Sequence, residues 1–77
     1  MALTAKEWIE RFAEKLGTTA PTEKEQNELL ELAGAAAHAS ERTAAPISCW
    51  LAAHAGIGPG EARRAAMELA EQLEAQG

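Results

Sequence analysis

The chain has 77 residues and a formal net charge of −5, with 7 Lys and Arg against 12 Asp and Glu. That is room for one domain, read as residues 1–77, and it leaves no basic footprint for a nucleic acid backbone or an anionic membrane. The lone Cys49 excludes an internal disulfide, and 19 of the 36 apolar residues are alanine, which contributes little buried area and makes for a thin core.

Valine and tyrosine are absent, isoleucine occurs three times, and Ala, Leu, Glu, Gln, Lys and Arg dominate. This is helix-forming chemistry, and no stretch alternates long enough to read as a strand. The first helix is expected over about 4–16. Thr4 and Glu7 fit a capping box, Trp8, Ile9, Phe12 and Leu16 fall on one stripe, and Gly17 provides a stop. After the connection Thr18 to Pro21, Thr22 and Glu25 repeat the box and open a second helix over about 22–41. Its first half carries Leu29, Leu30 and Leu32. Its second half, AGAAAHAS, is nearly all small and suits close approach of a neighbouring helix.

Pro46 disfavours helical geometry at Ala45 and suits a first turn, so the third helix is expected over about 46–55. There Ile47, Trp50, Leu51 and His54 recur at helical spacing, and Trp50, like Trp8, is expected to anchor the core, with His54 on the same inward stripe. Gly56 and Gly58-Pro59-Gly60 separate it from a last helix over about 59–76, whose stripe is Ala62, Ala65, Ala66, Leu69 and Leu73. The fold class is therefore all-α, a compact bundle of four short helices joined by short connections.

Four side chains are candidates for ligand or partner contact: His38, Arg42, Ser48 and Cys49. If the second helix runs far enough, His38 and Arg42 stand at i and i+4, with Arg42 just before the amide-rich start of the third helix and Ser48 nearby. That composes a cradle for phosphate or carboxylate. The structural alternative has Arg42 capping the last carbonyls of helix two and His38 filling a surface groove. Cys49 paired with a histidine would be the minimal nucleophile-and-base arrangement, but no motif accompanies it. Cys49 and His54, five apart, point about 140° away from each other on one helix. With His38 they have no closed-site spacing, so neither a metal nor a cofactor is expected. Paired carboxylates such as Glu10 with Glu14, or Glu71 with Glu74, read as solvated faces. The start, MALTAKEWIERF, has no apolar run of signal-peptide length, and no segment is long enough to span a bilayer, so a cytoplasmic location is expected.

The run A-H-x-x-x-R-x-x-A-P, from Ala37-His38 through Arg42 to Ala45-Pro46, is followed by Ile47-Ser48 and Leu51. With the early Trp8-Ile9 pair and the acidic, alanine-rich last helix, it resembles a small bacterial helical domain family of unknown function over essentially the whole chain. In that family the domain stands alone or is fused C-terminally to molybdenum cofactor guanylyltransferase, the enzyme that attaches a GMP unit to molybdopterin. The resemblance implies a setting near molybdenum cofactor biosynthesis. It matches His38, Arg42 and Pro46 as positions and brings no catalytic residue. Cys49-Trp50 stand where the family has small or hydroxyl-bearing residues, and the guanylyltransferase's glycine-rich nucleotide loop is absent. The expected function is a non-enzymatic accessory module that contacts the guanylyltransferase or an anionic cofactor group. The alternatives are a homo-oligomeric structural domain without ligand and, further off, a minimal Cys/His enzyme.

Overall fold

The computed structural model describes residues 3–76 and consists of four helices: α1 (Ala5–Leu16), α2 (Glu23–Ala39), α3 (Ala44–His54) and α4 (Pro59–Gln76). No strand occurs among the described residues. Both capping boxes form. The Thr4 amide donates to Glu7 Oε1 (3.0 Å) while the Glu7 amide donates to Thr4 Oγ1 (3.1 Å). At α2 the Thr22 amide donates to Glu25 Oε1 (2.8 Å), and the Glu25 amide donates to Thr22 Oγ1 (3.1 Å). Each box satisfies donors that a helix start otherwise leaves without partners. Gly17 ends α1 at φ +75°, where a side chain would be strained, and the amides of Gly17 and Thr18 donate back to Glu14 and Ala13.

Two boundaries differ from the sequence expectation by two residues, and three others by one. α2 stops at Ala39 rather than 41, because Ser40 leaves helical geometry (φ −135°, ψ −101°). α3 begins at Ala44, two residues ahead of Pro46. The proline occupies the first turn, where an amide would have no helical partner, so its missing N–H costs nothing there.

α2 is the central element and packs against both α3 and α4; no other pair of helices packs as extensively. The seams are built from small residues. Leu32 (4% exposed) and Ala62 (3% exposed) are buried, and Ala33, Ala36, Ala45, Ser48, Ala52, Ala66 and Ala70 are half-buried around them. An exposed ion pair, Arg63 to Glu31, ties α4 to α2. α1 stands apart, with only Ala13 buried. The radius of gyration is 13.7 Å and the extents are 44 × 29 × 18 Å, against about 11.5 Å expected of a compact chain of this length.

The expectation that the tryptophans anchor the core is corrected. Trp8 is 58% exposed and Trp50 61%, and His54 is exposed beside it. Periodicity had defined each stripe correctly, but the close α2–α3 seam admits only the small side of α3, so the large side turns outward.

Candidate functional site

α3 has two unlike sides. Ala45, Ser48, Cys49 and Ala52 are half-buried on the α2 side, and Ile47, Trp50, Leu51 and His54 are exposed. On that outer side the Trp50 and His54 rings stack, with centroids 4.6 Å apart and planes 11° from parallel. Residues i and i+4 meet on one helix face, so the helix itself positions the stack. Ile47, 60% exposed, extends the same face by one turn. The result is a flat apolar platform of about two turns on a rigid element.

Between α3 and α4 runs a trench with α2 as its floor. One stretch, about 190 Å³, is lined by Ala36, Ala39, Ala44, Ser48, Leu69 and Leu73 among others. The adjoining stretch, about 260 Å³, is lined by Ser48, Leu51, Ile57, Ala62, Ala66 and Leu69 among others. Its walls are apolar almost throughout, with Ser48 where the two stretches meet.

The four candidate residues are distributed over the end of α2, the α2–α3 turn and α3. His38 lies in the last turn of α2, on a groove shared with Leu73 and Glu74 of α4. Arg42 sits in the turn between α2 and α3, exposed, its side chain without a hydrogen bond or ion pair among the described residues. Because α2 ends at Ala39, no continuous helix sets the two one turn apart. The amides expected to serve the anion cradle are engaged: Ala44 donates to Glu41 O (2.9 Å) and Ala45 to Arg42 O (3.1 Å), while Pro46 has no N–H. Ser48 faces the trench, and Cys49 is half-buried on the α2 side. Burial pushes the Cys49 thiol up from its usual range, which disfavours the thiolate a nucleophile needs. No group of three His, Cys, Asp or Glu among the described residues is placed to hold a metal ion.

The residues that stand out were legible only in part. The stripe Ile47, Trp50, Leu51 and His54 was evident from spacing; its outward direction was not. The trench draws on α2, α3 and α4 together and has no local sequence signal.

A family model described as a domain of unknown function, DUF6457, matches residues 2–77. The chain belongs to this family. DUF6457 is thus a small helical domain that here occupies essentially the whole sequence. No curated protein and no solved structure matches the chain.

Proposed function

We propose that this DUF6457 chain is a non-enzymatic, cytoplasmic accessory module that binds a protein partner through the outer face of α3. The observation that carries the reading is Trp50: 61% exposed, held on a helix, stacked on His54 and flanked by Ile47. Aromatic side chains bring a large apolar area at low conformational cost, and tryptophan is enriched among the residues that dominate binding energy. Leaving that area in water forgoes roughly 25 cal/mol per Å². The raised thiol of Cys49 supports the non-enzymatic side of the reading. The sequence resemblance makes molybdenum cofactor guanylyltransferase the first partner to test, with His38 and Arg42 at the edge of the contact rather than on a cofactor group.

Calorimetric titration of the chain into the guanylyltransferase tests this directly. Binding is expected, and Trp50→Ala should weaken it by roughly 30-fold or more while the helical circular dichroism stays unchanged. Absence of binding by the wild type would sink the partner, and unchanged binding by Trp50→Ala would sink the face.

A further inference from the structure

Two apolar surfaces remain that the α3 platform does not use: the stripe of α1 and the trench between α3 and α4. On α1, Trp8, Phe12 and Leu16 are 58%, 49% and 62% exposed, and the Trp8 and Phe12 rings stack with centroids 5.8 Å apart. The stripe is about 12 Å long, and the trench, followed along α4 from Ala62 to Leu73, is about 16 Å long. One is a convex ridge on a helix, the other a concave slot between helices, and both are apolar.

We propose that α1 of one copy occupies the α3–α4 trench of a second copy, and the reverse, giving a dimer by reciprocal exchange of α1. Surface area argues for a second copy. The chain exposes 6273 Å², whereas a compact monomer of 8.1 kDa exposes about 4,500 Å². The excess is about 1,800 Å², and one side of a standard interface removes about 800 Å². A reciprocal exchange covers each chain both on its α1 and in its trench, and one side of a standard interface formed in that way would take up a little under half of the excess.

The connection between α1 and α2 argues against the same ridge filling its own trench. Gly17 is fixed by two backbone bonds, Thr22 by its capping box, and the Gln26 side-chain amide donates to Pro21 O (3.1 Å). Folded back along α2, the Trp8–Leu16 stripe would reach about 14 Å from Gly17, only to the near end of a trench floor that begins at Leu32, also about 14 Å along α2, and continues to Ser40 for another ~12 Å. A short, defined connection that keeps a helix off its own chain is the usual starting point for exchange between copies.

The inference goes beyond the partner-binding reading and uses different residues, so the two fail separately. Sedimentation equilibrium of the full chain at micromolar concentration should give twice 8.1 kDa. Phe12→Glu on the ridge and Leu69→Glu in the trench replace exposed side chains, so both variants should keep their helices, checked by circular dichroism. Each should raise the dimer dissociation constant by roughly 30-fold or more. A mixture of the two should regain a heterodimer, since one intact ridge then meets one intact trench. A monomeric wild type, a dimer indifferent to Leu69→Glu, or a mixture that stays monomeric would overturn the exchange. A monomer that still binds the guanylyltransferase through Trp50 would overturn it while leaving the proposed function in place.

Discussion

α1 and the α2–α4 unit solve the same problem with opposite materials. α1 has the larger side chains, Trp8, Ile9, Phe12 and Leu16, and a complete capping box, yet it buries little beyond Ala13. The α2–α4 unit is held at alanine-sized positions around Leu32 and Ala62, with its own large residues, Ile47, Trp50, Leu69 and Leu73, left outside. Bulk does not locate this core. Helices that approach closely need small side chains at the seam, and the larger ones are displaced to faces where a second protein can cover them.

The contrast can be broken most forcefully at Leu32. Leu32→Ala removes the one large buried side chain at the α2–α3–α4 junction and should cost about 2–5 kcal/mol, enough to unfold most of a marginal domain in thermal circular dichroism. A Trp8→Ala variant measured beside it should leave the α2–α4 melting midpoint nearly unchanged at concentrations where the chain is monomeric. The two caps sharpen the comparison at intermediate size. Thr22→Ala opens the central helix and should lower the urea midpoint by about 1 kcal/mol equivalent. Thr4→Ala, with the same chemistry, should fray α1 alone, seen as lost helical signal without a shift of that midpoint.

The smallest effect is a pH dependence. The Glu7 carboxylate accepts from the Thr4 amide, and from the Thr4 side chain as a lesser cause, which holds its pKa below the usual carboxylate value of 4.5. A depressed pKa means that this contribution to α1 is fully present above the unfolded value and is lost as the pH falls through the folded one. Amide shifts of Thr4 and Glu7 should therefore move toward unfolded values on acidification below about 4.5. A Thr4 amide that stays in place at low pH would show the box to be immaterial.

What could be read in advance was local. Thr4 with Glu7, Thr22 with Glu25, and Gly17 act within one turn, so helix starts and stops came within two residues, and the resemblance drawn from the His38–Pro46 run led to a helical family of unknown function. Two kinds of information were not local. Spacing puts Ile47, Trp50 and His54 on one face but cannot say whether that face meets α2 or water; the width of the α2–α3 seam decides it. The His38–Arg42 pairing was read from α2 continuing past Ser40, and a single backbone turn at that residue ends the helix before Arg42. The trench exists only once three helices are in place.

The alanine seam has a consequence for how such a domain can change over time. Residues buried where α2, α3 and α4 meet, such as Ala62 at 3% exposed, have little side chain to lose. Residues on the α1 ridge and the α3 platform carry little of the monomer's cohesion. Drift in sequence is therefore channelled to the outer faces, where Trp50 or Phe12 can be exchanged for other side chains and a new binding preference acquired without renegotiating the fold.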